Sequence, residues 1–341
     1  MSNTNLKQLA AALGLSISSV SKALRDSYEI SAETKQRVVE MANRMNYQPN
    51  PFASSLRRKK SATIGVVIPE IANNFFALAI DGIQMVAEQK GYHVLTYLTH
   101  ENNTNEVSTV RHLLGGRVDG VLMSLCRDTQ SVDHLSSLQE SGIPLVFFDR
   151  VPEQMSCPTV TTDDYESGFR ATEHLIQSGC KRIACLSLSH YLSISNKRMN
   201  GYMDALKKHG LPVENELIVQ CTNDNEYNLS LIKTLLKGRK RPDGIFSTVE
   251  KLAISVYYVT QEMGLQIPNQ LKIISFSNLR TASLLNPSLS TITQPAFEIG
   301  VEAAALLFRM IEKKTFGNRI DKLELKSALI ERKSSERINK I

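Results

Sequence analysis

The stretch Thr4-Asn5-Leu6-Lys7-Gln8-Leu9-Ala10-Ala11-Ala12-Leu13-Gly14-Leu15-Ser16-Ile17-Ser18-Ser19-Val20-Ser21-Lys22-Ala23-Leu24-Arg25 decides how this chain is to be read. Leu6, Leu9, Ala10 and Leu13 recur at helical spacing, and Gly14 breaks the pattern. Ser16 is placed to cap a second helix carrying Val20 and Leu24. Ala10 allows a second helix to cross closely, Gly14 permits the turn, and Val20 fills the angle between the helices. The spacing therefore predicts a helix-turn-helix. Its second helix turns Ile17, Ser18, Ser19, Ser21 and Lys22 outward, side chains short and mostly polar enough to enter a major groove.

Charge placement agrees. Residues 1–60 hold ten Lys and Arg against four Asp and Glu, whereas the rest of the 341-residue chain holds thirty of each. The whole net charge of +6 thus sits on the first sixty residues, as expected for a polyanion-binding head on a neutral body. Ser31 caps a third helix in which Val38, Met41, Ala42 and Met45 face the pair, completing an all-α head over residues 1–46. Residues 47–60 form a hinge segment. Asn50-Pro51 starts a short helix through Phe52, Ala53 and Leu56, ending in Arg57, Arg58, Lys59 and Lys60. Two turns are too few to hold alone in water, which suggests folding on contact with DNA and a partner chain.

From Ala62 onward, apolar runs alternate with amphipathic helices, the pattern of parallel sheets covered by helices. An echo runs through it. Gly116-Arg117-Val118-Asp119-Gly120 and Arg241-Pro242-Asp243-Gly244 each precede a strand, then a helix, a glycine, a proline and a further strand. Two similar α/β lobes are expected in a core spanning 61–341. Lobe 1 is placed at about 61–160 plus 291–322, and lobe 2 at about 161–290 plus 323–341. Ligands of open parallel sheets bind beyond the carboxyl ends of the strands, so a cleft between the lobes is the expected site. The five cysteines form no C-x-x-C pair and read as buried thiols of a cytoplasmic protein. No metal or cofactor motif, signal peptide, membrane-length apolar run or catalytic motif of an α/β enzyme is found.

These segments resemble the lactose- and purine-repressor (LacI/GalR) family of bacterial transcription regulators. The resemblance rests on Leu9-Ala10, Gly14, Val20-Ser21 and Asn46-Tyr47-Gln48-Pro49-Asn50 in the head, and on Ala53 and Leu56 in the hinge. In the body it rests on Asn73-Asn74-Phe75-Phe76, Arg117-Val118-Asp119-Gly120, Arg198-Met199-Asn200-Gly201-Tyr202 and Ser290-Thr291-Ile292-Thr293-Gln294-Pro295. The resemblance implies a two-lobed periplasmic-binding-protein-like core and a homodimeric repressor on a palindromic operator, with no enzymatic activity. Ile17, Ser18 and Lys22 would read the major groove, Lys22 reaching guanine O6 or N7. Ser16, Ser21, Ser31, Thr34 and Tyr47 would touch phosphates. Leu56 would wedge into the minor groove with Arg57 beside it.

A small-molecule effector, a sugar or sugar derivative, would bind Asn73, Asn74, Phe75, Phe76, Asp149, Arg150, Arg198, Glu250 and Ser277, and shift the angle between the lobes. Two positions depart from the family. Ser277 stands where sugar- and purine-responsive relatives usually place an aspartate, and Val249-Glu250 where they usually have Asn-Asp. Glu250 would then supply part of the lost acceptor, the effector would be an anionic sugar derivative held by Arg150 and Arg198, or a protein co-regulator would replace it. The stretch Leu325–Ser335 fits the family's final strand, and no leucine heptads for a tetramerising coil follow.

Overall fold

The computed structural model describes residues 4–47, 61–189, 191–313 and 321–337, which fall into two compact units on either side of Ser61. The first unit is three helices: α1 (Leu6–Leu13), α2 (Ile17–Ala23) and α3 (Ala32–Arg44). Local chemistry sets each boundary. Asn5 and Gln8 form a reciprocal capping box on α1, and Gly14 closes the helix in the left-handed region at φ 65°. The side chains of Ser16 and Ser31 accept from the amides of Ser19 and Thr34, capping α2 and α3. Leu9, Ala10, Val20, Ala23, Val38 and Ala42 are buried at the centre, with Leu6, Leu24, Met41, Met45 and Tyr47 around them.

The second unit contains two six-stranded sheets. The first is built from β1 (Thr63–Ile68), β2 (His93–Leu98), β3 (Gly120–Met123), β4 (Leu145–Phe148) and β5 (Thr159–Thr162). Helices α4 (Asn74–Gln89), α5 (Asn103–Leu113) and α6 (Asp133–Glu140) fall between these strands. After α7 (Asp164–Gln177), the second sheet is built from β6 (Ile183–Ser187), β7 (Ile218–Gln220), β8 (Gly244–Ser247), β9 (Lys272–Phe276) and β10 (Ser290–Thr293). They alternate with α8 (Ser193–Lys208), α9 (Asn225–Leu235) and α10 (Glu250–Glu262), and α11 (Ala296–Lys313), β11 (Lys322–Leu325) and β12 (Ala328–Ile330) follow. The orders are β11-β5-β4-β3-β1-β2 and β12-β10-β9-β8-β6-β7; all pairings are parallel except the antiparallel β10–β12.

Period-two burial explains the layers. On β1, Ile64, Val66 and Ile68 meet α4 and α11, while Val67 packs on the opposite face with Val110, Leu113 and Leu135. In the second lobe, Ile245 and Ile273 pack on one face with α9 and α10, and Phe246 and Ile274 on the other with α7 and α8. Each lobe has one very close helix pair. A Cβ on Gly201 of α8 would collide with the Tyr165 carbonyl of α7, and one on Gly300 of α11 with the Ala79 carbonyl of α4.

The division between lobes differs from the sequence expectation. Helix α11 does return to the first lobe, but the strand before it does not: Ser290 pairs with Ile274 and Ile292 with Phe276, so β10 closes the second sheet. Conversely β11 lies beside β5 in the first sheet, Lys322 opposite Thr159, and only β12 belongs to the second. The final strand expected over Leu325–Ser335 is thus two short strands in different sheets. The physical reason is connectivity. Each lobe's fifth strand is followed by a helix of the other lobe, α7 after β5 and α11 after β10, so a strand and the helix beside it in sequence are split across the hinge.

Three segments cross between the lobes, and hydrogen bonds hold them together. The Asp163 amide donates to the Leu325 carbonyl over 3.1 Å. Its carboxylate accepts from Ser167, Arg170 and the Ser327 amide at 2.8–2.9 Å. In the third crossing segment, Gln294 Nε2 donates to Thr162 Oγ1 over 3.3 Å.

Candidate functional site

On α2, Ile17, Ser18, Ser21 and Lys22 occupy one face, with Ile17 46% exposed although it is apolar. This is an exposure that a packing role does not explain. Lys22 is the one basic residue of the helix. Ser16 and Ser31 spend their hydroxyls first on capping, Ser16 Oγ 2.9 Å from Ser19 Oγ and Ser31 Oγ donating to Thr34 Oγ1 over 2.9 Å. Both serines stand at helix N-termini, where the helix dipole favours negative charge. Tyr47 is half-buried against the head core. Leu56 and Arg57 lie outside the described residues.

In the core, the carboxyl ends of β1, β4, β8 and β9 converge with α8 and Gln294 on a small cleft. It is lined by Asn73, Phe75, Phe76, Asp149, Arg150 and Glu250, and across from them by Arg198, Phe276, Ser277 and Gln294. Phe75 and Phe76 are both buried core residues, rings 5.3 Å apart and edge-to-face, and both also line the cleft. Asn73 caps α4 by accepting from the Phe75 amide over 3.0 Å. Sequence reasoning missed Ile194, Val249, Phe276, Asn278 and Gln294. Phe276 ends an apolar strand and reads as core, yet Arg198 Cζ lies 3.7 Å from the centre of its ring.

Asn74, from the first lobe, donates to Glu250 Oε1 of the second over 2.7 Å. Ser277 Oγ donates to Glu250 Oε2 over 2.6 Å. Glu250 thus gathers the two positions singled out in the sequence onto one carboxylate. Arg198, 3% exposed, donates from Nε to Asp164 Oδ1 and from Nη1 to the Thr248 carbonyl, each over 2.7 Å. Arg150 holds Glu101 through Nη1 at 2.9 and 3.0 Å. Burial raises the Glu101 carboxyl, but the Arg150 guanidinium outweighs it and leaves the group below the usual carboxylate range. Asp149 and Asp164 go the other way. Burial pushes both up, Asp164 to about 6, against the pull of Arg198. Asp149 sits in the left-handed region at φ 59°, where an aspartate is tolerated, and accepts from Gln294 over 3.3 Å.

Each guanidinium is therefore already neutralised by a carboxylate of the chain, Arg150 by Glu101 and Arg198 by Asp164. This weakens the expectation of an anionic effector, which needed both charges unspent. What stays unspent is hydrogen-bonding capacity: Arg150 Nε, Arg198 Nη2, Thr248 Oγ1 and Asn278 Oδ1 are buried without a hydrogen-bond partner among the described residues, Arg150 Nε lying 3.9 Å from Asp149 Oδ2. The cleft has a volume of about 50 Å³, room for a few waters. A larger trough of about 500 Å³ between α11 and β11 is lined by Glu302, Leu306, Arg309 and Lys322, and among the described residues it lacks such converging buried groups.

The five cysteines are free and buried, and burial raises every thiol, Cys157 and Cys221 to about 11. None is poised as a thiolate nucleophile. Among the described residues no helix is long and apolar enough to cross a membrane.

A helix-turn-helix head followed by two parallel-sheet lobes around a polar cleft defines a class of DNA-binding transcription regulators with a periplasmic-binding-protein-like core. Residues 5–50 match the bacterial regulatory proteins of the lacI family, and residues 61–333 match the periplasmic binding proteins and sugar binding domain of the LacI family. This chain belongs to the LacI family. Catabolite control protein A of Priestia megaterium is 31% identical over 322 residues, 94% of this chain and 96% of that protein. The transcriptional repressor CytR of Escherichia coli strain K12 is 29% identical over 313 residues, covering 92% and 91%. The lac repressor dimer, solved with operator and an anti-inducer, shares the fold at a TM-score of 0.85 and 20% identity, covering 98% of this chain and 100% of that one. These relatives are transcription regulators, not enzymes.

Proposed function

We propose that the protein is a cytoplasmic homodimeric repressor that binds a palindromic operator and is controlled by a neutral, hydroxyl-rich small molecule, a sugar or sugar derivative, in the cleft. The observation that carries the effector class is the pairing of Arg150 with Glu101 and of Arg198 with Asp164. Both arginines are matched, Asp149 and Glu250 add further carboxyls, and buried N–H donors stay unspent, which suits uncharged oxygen-rich ligands better than anions. Phe75 supplies an apolar wall for a ring, whereas the Phe276 ring is already covered by the Arg198 guanidinium. On α2, Ile17, Ser18 and Lys22 would read bases, with Ser16, Ser21, Ser31, Thr34 and Tyr47 on phosphates. The dimer is supported by β2, an edge strand of the first sheet with Leu95 43% exposed, and by Met85 at 38% on α4. One observation favours a second reading, control by a protein co-regulator: the cleft is small and its own side chains fill it.

Selection from a random duplex pool should return a palindromic site, and a thermal-shift screen of neutral sugars, sugar phosphates and nucleobases should identify the effector. A hit must also change operator affinity when titrated. Stabilisation by sugar phosphates alone would reinstate the anionic effector, and absence of any hit would favour the co-regulator.

A further inference from the structure

The loop between α2 and α3 holds the most exposed large apolar or aromatic side chain among the described residues, Tyr28, which is 94% accessible. The loop itself is fixed at both ends. The Ser27 amide donates to the Lys22 carbonyl over 3.1 Å, and the Ile30 amide closes a turn on the Ser27 carbonyl over 3.2 Å. Tyr28 and Glu29 are the two central residues of that turn. Ile30 packs against the head core, and Glu29 reaches back to Lys22 on the outward face of α2. The tip of the turn therefore stands beside the carboxyl end of that face. Asp26 and Glu29, the two carboxylates of the loop, are each paired with a lysine, Lys35 and Lys22. Tyrosine joins an apolar ring to a hydroxyl donor, which suits a surface that is part apolar and part polar. A deoxyribose with its phosphate is such a surface.

We infer that Tyr28 is a positioning residue for DNA binding: its ring lies against a deoxyribose of the backbone bordering the groove that α2 enters, and its hydroxyl donates to the adjoining phosphate. The inference rests on the reading of α2 as the base-reading helix proposed above. Such a contact fixes the register of α2 on the duplex and carries no sequence information of its own. The anchoring of the turn is what makes it useful. A side chain on a turn tied to α2 at one end and to the head core at the other carries its contact straight to the helix. A hydroxyl contact also differs measurably from a lysine contact. It displaces no condensed cation from the DNA, so it adds affinity without adding salt dependence.

The test measures dissociation constants of the full chain for the selected operator over a range of salt concentrations, and repeats the selection with each variant. Tyr28 lies outside the head core, so Tyr28→Phe and Tyr28→Ala keep the fold. Tyr28→Phe is expected to weaken operator binding about two- to twelve-fold for each head engaged, the worth of one hydrogen bond. The slope of log Kd against log salt should stay as in the wild type, and so should the preference at every base pair. Tyr28→Ala removes the ring as well and should weaken binding further, again without a change in preference. Unchanged affinity in Tyr28→Ala would overturn the inference and leave Tyr28 a solvated turn residue. A changed preference at any base pair in Tyr28→Phe would mark a base contact and overturn it too. Lys22→Ala separates the two readings. Unchanged base preference there would count against α2 as the reader, whereas the Tyr28 outcomes bear on the backbone contact alone.

Discussion

Replacing Arg198 by Met tests the electrostatics of the cleft most directly. Methionine keeps an unbranched stem against Phe276 but removes the donors to Asp164 and to the Thr248 carbonyl. Asp164 is 1% exposed, so the change strands a buried carboxylate. Breaking such a pair from one side costs about 3–5 kcal/mol. At roughly 2 °C or more per kcal/mol for a unit of this size, the melting temperature near pH 8 should fall by at least about 6 °C. The loss should depend on pH. In the wild type, burial already lifts Asp164 from 3.8 to about 6. A carboxyl whose pKa is raised on folding contributes stability that is full below the unfolded value and is lost as pH rises through the folded value. For the wild type that window is about pH 4 to 6. Without Arg198 the main lowering influence is gone, the folded value moves further up, and the window extends toward neutrality. Arg198→Met should therefore be strongly destabilised at pH 8 and recover much of the deficit near pH 5, where Asp164 takes up a proton. Asp164→Asn added to Arg198→Met should recover much of it at every pH, because no stranded charge remains. Differential scanning calorimetry of the three proteins at pH 8 and 5 decides. A deficit of equal size at both pH values, or a double variant as unstable as the single, would refute the stranded-charge account.

The bridge across the cleft gives a second expectation. Asn74→Ala removes a hydrogen bond to a charged group, worth about 1.5–3 kcal/mol, that joins the lobes. Hydrogen exchange should accelerate in the loops holding Val249 and Ser277 while β1 and β8 stay protected; unchanged exchange in those loops would show that the bond does not hold the lobes. For the hinge segment, Leu56→Ala should weaken binding to the selected operator far more than to scrambled DNA, since a wedge acts only on a kinked site. Equal losses on both duplexes would argue against intercalation.

Much of this architecture was legible in the sequence because its signals are local. Asn5, Ser16 and Ser31 stand where helices begin, Gly14 where a left-handed residue is needed, and the buried strands read as continuous apolar runs. What could not be read was partnership at long range. Arg198 was visible as a candidate, but Asp164, 34 positions away, becomes its partner only because α7 and α8 pack at glycine contacts. Phe276 was hidden because a phenylalanine at the end of a buried strand serves core and cleft with the same pattern. Membership of β10 and β11 was misplaced because adjacency in sequence normally means adjacency in space, and here each fifth strand hands the chain to the other lobe.

That exchange also bears on how a cleft event would reach the rest of the core. A lobe connected by one segment could turn with little consequence for the other. Here three segments cross, and their hydrogen bonds are shared: Asp163 ties the first crossing to the last through Leu325 and Ser327, and Gln294 in the remaining one reaches Thr162. Gln294 also donates to Asp149 inside the cleft. The same amide therefore belongs to the cleft and to a crossing segment. On the function proposed above, a ligand that takes the Asp149 carboxylate as an acceptor competes for the group that holds Gln294. It thereby alters the bonds that fix the lobe angle, without any long pathway through the sheets. Asn74 and Glu250 add a second point where cleft chemistry and lobe closure are one bond. Control by lobe angle in this fold thus requires few residues, and they stand where the swapped connections bring the two lobes together.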